Sequence, residues 1–366
     1  MILLVIYEMS GQKNFGNIKD LAEELERQKI NRYDLVVPSN ELIVFTEGNK
    51  VYMTVPQTDG SQKNHDITEY CHSQISWKTG IPMKYYKKMM DEKPELLSTN
   101  INAWLPTREK RLVRVLDNEV RALLSDRYRI IDNYDVAFLA LQEFKKIADE
   151  KGFKIDIRRS DLTDRHLYIK VTSPDLVDEI LDNKEKKKGD KVNGGIIISN
   201  SEVGSGCFKV TPFVEVLKCS NGLIGDDVLK KVHVGRELGI GEIDWSDETL
   251  KLEDEALWSK MRDMIHATFD PDIFHKWVDK INGVAQVEIE KPTVAVSNVV
   301  KHFKIPDGKK DDLLNQFAKE SPTQWGLSMA VTRIAQDEED YEKQIELEKI
   351  GNDILNMDAK QITVEA

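Results

Sequence analysis

The stretch GGIIISNSEVGSGCFKVTPFVEVLKCSNGLIG, residues 194–225, contains two apolar runs that small polar residues separate. Both runs, 196–198 and 210–216, are rich in β-branched residues, which is typical of strands. The residues between them include glycine, serine and asparagine, but a tight hairpin turn needs only about two to five residues. The surplus over residues 199–206 therefore indicates a long hairpin loop, a backbone that another segment approaches closely, or a site.

Upstream, the segment LVRVLDNEVRALLSD (112–126) alternates apolar and polar residues on both sides of a typical two-residue hairpin turn at 117–118. With that turn, Arg114 lies directly opposite Arg121. Two opposed arginines repel each other unless a negative charge lies between them. Either Glu119, as a diagonal partner of Arg114, or a bound phosphate supplies that charge.

A second hairpin is predicted for FKIDIRR (153–159) and HLYIKVT (166–172). Its apolar face is predicted to be buried: Phe153, Ile155, Ile157, Leu167, Ile169 and Val171. Its opposite face carries Lys154, Arg158, Tyr168 and Lys170. Cations around an aromatic ring are typical of a sheet that binds single-stranded nucleic acid, because phosphates contact the cations and a base stacks on the ring. An ordinary solvated sheet face has the same composition.

Helical periodicity flanks the first hairpin on both sides. After it, a helix begins at Asp132 or Asn133, which can each act as the N-cap, and Gly152 ends it. Before it, two helices follow each other, and Pro82 lies in the first turn of the second. This pair is a plain packing unit or, alternatively, a helix-turn-helix that reads DNA through Tyr85, Lys87 and Lys88.

The chain as a whole is predicted to have an α+β fold, in which antiparallel hairpins pack with helices. Three regions are predicted: an α/β segment at 1–65, which starts with an apolar strand, the α+β core at 66–235, and an acidic, mostly helical region at 236–366. The final helix of the last region has an apolar seam: Tyr341, Ile345, Ile350 and Ile354.

Charge distribution bears on the class of partner. The net charge of −12 argues against a general nucleic-acid binder. Residues 1–200, however, carry 32 basic and 32 acidic residues, while residues 201–366 carry 20 and 32. A near-neutral core can present a basic face, extended by the lysine run near 184–188, while the acidic C-terminal region sets the total.

Other features exclude several classes of protein. Three widely spaced cysteines argue against a disulfide framework and a zinc site, and they fit a reducing cytoplasm. No window reaches the roughly 20 apolar residues of a membrane span. The seven histidines show no HxxH or HExxH spacing, and the chain has neither a P-loop nor a GxSxG motif. We therefore predict no metal, no cofactor and no specific reaction.

Two segments, LSDRYRIIDNYDV (124–136) and ISNSEVGSGCFKVTPFVEVLKCSNGLI (198–224), resemble a family of bacteriophage and plasmid proteins, the domain of unknown function numbered 932. The segment GIPMKYYKKMMDEKPELLSTNINAWL (80–105) fits the same resemblance, which covers roughly residues 67–225. The resemblance implies a mobile-element protein in a bacterial cytoplasm, acting in nucleic-acid metabolism or against host defence. It supplies no catalytic residues.

Three functional hypotheses follow. The first is a non-enzymatic protein that binds single-stranded DNA in annealing, recombination or replication, through Arg114, Arg121, Arg127, Tyr128, Lys154, Arg158, Tyr168 and Lys170. The second is an interaction protein whose acidic C-terminal helices bind and block a host factor. The third is an enzyme acting on nucleotides or nucleic acid, with Asp126, Ser201 and Glu202 near its site. Each is compatible with a homo-oligomer.

For the opening loop, two hypotheses remain. Its polar residues form a site, or they latch the loop onto the SDRYR segment, with a buried residue such as Arg127 as the partner. The residues concerned are Ser199, Ser201, Glu202, Gly204 and Gly206. Glycine at 204 is predicted to have a positive φ or to allow a close backbone approach.

Overall fold

A computed structural model describes residues 18–105, 109–181, 189–217, 221–225, 229–231, 246–338 and 341–363. Its helices are α1 Ile18–Asn31, α2 Glu69–Thr79, α3 Met83–Glu92, α4 Pro94–Trp104, α5 Asn133–Lys151, α6 Asp247–Thr268, α7 Pro271–Ala285, α8 Pro292–His302, α9 Lys310–Phe317, α10 Gln324–Ala335, α11 Tyr341–Asn356 and α12 Ala359–Thr363. Its strands are β1 Arg32–Pro38, β2 Ile43–Glu47, β3 Lys50–Pro56, β4 Gln62–Ile67, β5 Lys110–Leu116, β6 Glu119–Ser125, β7 Asp156–Leu162, β8 Leu167–Ile180, β9 Asp190–Asn200, β10 Phe208–Val216, β11 Asn221–Ile224 and β12 Leu229–Lys231. The strand predicted near the N-terminus and the lysine run at 184–188 lie outside the described residues.

The first sheet contains six strands in the order β1-β5-β6-β4-β3-β2. All neighbours are antiparallel except β4 and β6. One face packs against α2, α3 and α4, because alternate strand residues such as Met53, Val113 and Val120 are apolar and fully buried there. The opposite face carries Arg114 and Arg121 and is turned toward the loop that follows β9.

The second sheet is antiparallel throughout, in the order β11-β10-β9-β8-β7, and β12 also pairs with β10. Its apolar face forms the largest core of the protein with helices α1, α5, α6 and α7. The predicted buried residues of the second hairpin lie there, as Ile155, Leu167 and Ile169 show. The prediction of an α+β fold built on antiparallel hairpins and packed helices is therefore confirmed.

The C-terminal helices α8–α12 enclose an apolar core of their own. Ile350 and Ile354 of α11 belong to that core, as the predicted seam requires. Ile345, from the same predicted seam, instead packs on the second sheet against Ile197 and Phe213. Helix α11 thus joins the C-terminal helices to the sheet.

Several local predictions are confirmed. The turn between β5 and β6 has positive φ at both Asp117 and Asn118, as a two-residue hairpin requires. Helix α5 begins after Asp132 and ends at Gly152, which has a left-handed conformation.

In the described part of the chain, no helix is long and apolar enough to cross a membrane.

The predicted pairing of Arg114 with Arg121 is wrong. A β-bulge after Arg114 shifts the register, so Arg114 pairs with Ala122 rather than with Arg121. Pro212, which has no N–H to donate to a ladder, lies in an interior strand, because β10 has β9 on one side and both β11 and β12 on the other. Pro212 is tolerated because it lies between the residues that pair with β12 and those that pair with β11, where no ladder N–H is required.

The predicted region boundaries remain predictions. The boundary at residue 65 falls within β4, whose neighbours β3 and β6 come from the two sides of it. The boundary at residue 235 lies outside the described residues.

Candidate functional site

The loop after β9 lies at the junction of the two sheets. Asn200, at the end of β9, pairs with Leu167 at the start of β8. Three residues farther on, Val203 inserts between Leu112 and Leu124 on the outer face of the first sheet. The loop consequently has one side toward the first sheet and another toward the β7–β8 turn.

On the first side, the Glu202 carboxylate is buried among polar partners. One oxygen, Oε1, accepts a hydrogen bond of 2.6 Å from the backbone N–H of Asn133, at the start of α5. The other, Oε2, lies 2.6 Å from Nη2 of Arg121, a contact between charges without good hydrogen-bond alignment. The backbone carbonyl of Glu202 accepts a 2.9 Å hydrogen bond from Arg114. Glu202 therefore fastens the loop to the first sheet and to α5.

Arg114 itself is completely buried and has two further carboxylate partners. It donates two hydrogen bonds of 2.9 Å to Asp34 and one of 2.8 Å to Asp132, which also pairs with Arg32. Burial raises the pKa of Asp132, but the hydrogen bond from Arg32 and the charge of Arg114 outweigh it and hold that pKa below its usual value. With Arg121 and Glu202, three arginines face three carboxylates, so this junction cluster has no net charge.

One contact of the kind that the latch hypothesis predicts is present, and both hypotheses for the loop remain predictions. Tyr128 joins the SDRYR segment to the loop, because its hydroxyl donates a 3.0 Å hydrogen bond to the carbonyl of Ser201. Arg127 is exposed, and its backbone N–H donates to Ser125. A further contact comes from Gln74 of α2, which donates to the carbonyl of Val203.

Gly204 has the predicted positive φ, +79°. A Cβ atom there would lie 2.7 Å from Cδ2 of Leu124, closer than real Cβ contacts come. Both reasons given for glycine at this position, the left-handed backbone and the close approach, therefore hold.

The second side of the loop places two hydroxyls beside a histidine. Ser205 Oγ lies 2.7 Å from Nε2 of His166 and 3.0 Å from Oγ of Ser201. His166 is held in the tight β7–β8 turn, where Thr163 accepts from its backbone N–H. Gly206 leaves room for the ring, since a Cβ there would lie 3.2 Å from Nε2 of His166.

These residues open onto a cavity of about 400 Å³. Two exposed lysines, Lys209 of β10 and Lys349 of α11, lie at the cavity, and neither makes an ion pair within the described part of the chain. Other polar groups also line it: His166, Ser199, Ser205, Cys207 and Thr211. One acidic residue, Glu346, lies on the wall, so the lining is basic overall.

A second cavity of about 340 Å³ lies on the same face of the second sheet and is lined by Arg158, Arg159, Lys170, Glu215 and Leu217. Arg158 donates to both Glu215 and Thr172. Strand register relates the two cavities: Tyr168 pairs with Ser199, and Lys170, two residues along the strand, pairs with Ile197. Residues that pair side by side project from the same face.

Helix α11 covers the middle of this polar face. Tyr168 is only 6% exposed and Lys170 only 8%. Lys170 Nζ lies 3.5 Å from Glu348 of α11 and 4.7 Å from the centre of the Phe213 ring. Burial raises the pKa of Glu348 despite that lysine. Base stacking on Tyr168, as the sequence suggested, is therefore incompatible with this position of α11.

The remaining predicted site residues are dispersed. Arg114 and Arg121 belong to the junction cluster, while Asp126 and Lys154 are exposed at separate places. In the helix pair, Lys87 of α3 forms a 2.9 Å ion pair with Glu69 of α2, which favours the packing interpretation. Tyr85 and Lys88 are exposed on α3.

Sequence reasoning missed His166, Ser205, Lys209 and Lys349. A usable signal existed for two of them, because consecutive strands are usually neighbours in a sheet. Pairing β8 with β9 would have placed His166, which precedes β8, beside the residues that follow β9. The approach of Lys349 depends on the packing of α11, for which the sequence offers no comparable signal.

Within the described residues, no group of three or more histidine, cysteine, aspartate or glutamate side chains is arranged to hold a metal ion. Comparison with known proteins found no matching family model, no similar curated protein and no similar solved structure. The three quoted segments thus remain the sole basis of the family resemblance, and function is inferred from the site.

Proposed function

We propose that the protein binds single-stranded nucleic acid through phosphate contacts on the polar face of the second sheet. The observation that carries the proposal is the pair Lys209 and Lys349, exposed and without an ion-pair partner among the described residues, at a cavity lined by hydroxyl groups. Cations and hydroxyls are the groups that bind phosphate oxygens.

The second cavity extends this basic surface. Arg158 and Arg159 are both exposed there, although each has an acidic neighbour, Glu215 or Asp161. Two separate cation-lined depressions suit successive phosphates of a strand better than one small anion. Because Tyr168 is covered, the contacts are to the backbone, so binding is expected to depend strongly on salt and weakly on base sequence.

In this proposal the acidic C-terminal region sets the net charge without preventing binding, because α11 contributes Lys349 to the site. The family resemblance suggests the setting: the cytoplasm of a bacterium that carries a phage or plasmid, where strand binding serves annealing, recombination or replication. Strand binding of this kind requires no chemical step.

Fluorescence anisotropy with a labelled oligothymidylate tests the proposal. Lys209→Ala/Lys349→Ala is expected to weaken binding and to reduce the slope of log Kd against log salt by about 1.4, since each single-strand phosphate contact contributes about 0.7. Lys301→Ala/Lys319→Ala removes the same charge from two exposed positions, one on α8 and one in the turn after α9, and serves as the matched control. Equal affinities and slopes for the two double variants would refute the proposed surface.

A further inference from the structure

Beyond strand binding, we infer that Ser205 is a nucleophilic serine activated by His166. Three groups form a chain: Ser201 Oγ, Ser205 Oγ and His166 Nε2, with separations of 3.0 and 2.7 Å. Ser201 Oγ also accepts the backbone N–H of Ser205. Every hydroxyl proton has an acceptor when Ser201 donates to Ser205 and Ser205 donates to Nε2 of His166, which at 2.7 Å is closer than the alternative acceptor, the carbonyl of Arg165 at 3.5 Å.

That direction is the one general-base catalysis requires, because the imidazole nitrogen that accepts the hydrogen bond also takes the proton when the oxygen attacks. The backbone fixes both partners. His166 sits in a turn that Thr163 closes with four hydrogen bonds, and Ser205 is held by Ser201, which is completely buried. The Ser205 side chain itself is partly exposed at the cavity.

The cavity indicates the class of substrate. Lys209 and Lys349 place positive charge near Ser205, and Ser199 and Thr211 add hydroxyl groups. Lysines around a nucleophile stabilise the charge on a transferring phosphoryl group. The volume of about 400 Å³ admits a small organic phosphate. We therefore assign a phosphoric ester as the substrate.

In the first step, Ser205 Oγ attacks phosphorus and its proton passes to Nε2 of His166. The bond from phosphorus to the leaving oxygen breaks, and that oxygen takes the proton from His166. Water then attacks the phosphoserine with His166 as the base, and the bond from phosphorus to Oγ breaks as Oγ regains its proton. Water is the only co-reactant, and no oxidant or reductant is needed.

Diisopropyl fluorophosphate tests the nucleophile without nucleic acid, so this inference and strand binding can fail separately. Attack by Ser205 forms a bond from phosphorus to Oγ and releases fluoride, and peptide mass spectrometry locates the adduct. We expect an adduct at Ser205 that is absent in Ser205→Ala and forms at least about 100-fold more slowly in His166→Gln. Ser73→Ala, which removes a hydroxyl that bonds within α2 and does not line the cavity, is expected to react like the wild type.

No adduct at Ser205, or an equal rate in His166→Gln with an unchanged melting temperature, would overturn the inference. The substrate class is tested by release of 4-nitrophenol from bis(4-nitrophenyl) phosphate. The wild type is expected to release 4-nitrophenol. We expect this release to be lost in Ser205→Ala and to fall at least tenfold in Lys209→Ala/Lys349→Ala. A reactive Ser205 that does not hydrolyse this ester would refute the assignment of a phosphoric ester.

Discussion

At the scale of single residues, the junction between the sheets depends on Glu202. Its two carboxylate oxygens and its carbonyl contact three separate segments: the start of α5, β6 and β5. The carboxylate is about 5% exposed, so water cannot replace a lost partner. A buried ion pair adds little net stability compared with apolar packing at the same place. Removing one partner is nevertheless destabilising, because it leaves a buried charge uncompensated.

We therefore expect Glu202→Gln to lower the free energy of unfolding by about 3–5 kcal/mol, because Arg121 and Arg114 lose a counter-charge in a buried position. Urea unfolding at neutral pH measures the change. Glu290→Gln, at an exposed position, provides the control and should change stability little. A Glu202 variant as stable as this control would show that the cluster does not hold the loop.

Alanine substitutions at three glycines distinguish the cost of a positive φ from the cost of crowding by a neighbouring side chain. Gly80 and Gly204 both have positive φ, but a Cβ at Gly80 would meet nothing within 4 Å, whereas one at Gly204 would lie 2.7 Å from Leu124. Gly80→Ala should cost about 1–2 kcal/mol, the price of a left-handed backbone for alanine. Gly204→Ala should cost more, since Leu124 must also move. Gly308→Ala, where neither effect operates, should cost nothing, and melting temperatures of the three variants test this order.

For single residues, the sequence predicted the conformation at positions where few residue types can adopt it. Positive φ at Gly204 and the turn at 117–118 were both predictable, because few other residues adopt those conformations. The bulge after Arg114 was not predictable, and the carboxylates that Arg114 contacts there, Asp34 and Asp132, lie outside the hairpin. The partners of Glu202 were hidden because they are distant from it in sequence.

At the scale of elements, α11 contacts both the C-terminal core and the second sheet. Leu347, Ile350 and Ile354 are buried among the C-terminal helices, while Glu348 reaches Lys170 of β8. Periodicity predicted the helix and part of its seam. It could not predict that Ile345 and Glu348 would cover a sheet face that looks solvated in the sequence, because that contact joins segments far apart in the chain.

The contact between Lys170 and Glu348 can be measured by a double-mutant cycle. Lys170→Met should be destabilising, because it leaves Glu348, only 2% exposed, without its cation. Lys170→Met/Glu348→Met should recover much of that loss, giving a coupling energy above about 1 kcal/mol. The helical pair Lys145 and Asp149, whose aspartate is mostly exposed, is the control and should show about 0.3–0.5 kcal/mol. Equal coupling energies would mean that α11 is not fixed to the sheet by this pair.

The same burial affects how the polar face should be mutated. Replacing Lys170 or Arg158 alone removes the ion-pair partner of buried Glu348 or Glu215, so the same variant that weakens nucleic-acid binding also disturbs the structure. Lys209 and Lys349 avoid this problem, since neither has a carboxylate partner among the described residues. They are accordingly the sharper probes of the proposed surface.

At the scale of the whole molecule, the stability of the first sheet's core should depend on pH through two buried histidines. Burial lowers the pKa of His72 to about 4, and its Nδ1 lies 2.8 Å from the hydroxyl of Tyr86. Burial also lowers the pKa of His65, which is hydrogen-bonded to Tyr33. Below pH 6.5 the unfolded chain therefore binds protons that the folded chain does not, so stability falls as pH falls.

Other groups titrate outside most of this window or act in the opposite direction. Because the pKa of Asp132 is lowered in the folded state, its ionised carboxylate stabilises the folded chain. That stability is lost only as the pH falls below the pKa of aspartate in the unfolded chain, about 3.9. The raised pKa of Glu348 favours the protonated carboxyl in the folded state, so this residue restores some stability as pH falls through that pKa. Carboxylates with lowered pKa values, such as Glu24 and Glu143, add to the loss only below about pH 5, so a decline in stability between pH 6.5 and about pH 5 should come from the histidines.

A shift of the His72 pKa from 6.5 to about 4 corresponds to about 3 kcal/mol of unfolding free energy, lost progressively as the pH falls over that interval. His72→Gln removes the titrating ring, so the variant should lose less stability than the wild type between pH 7 and pH 4, by roughly that amount, whatever its stability at pH 7. His302→Gln, at an exposed position on α8, should leave the dependence unchanged. Urea unfolding at several pH values measures the three curves. Parallel curves for His72→Gln and the wild type would show that His72 takes up its proton equally well in the folded and unfolded chains, and that its burial beside Tyr86 does not keep it neutral.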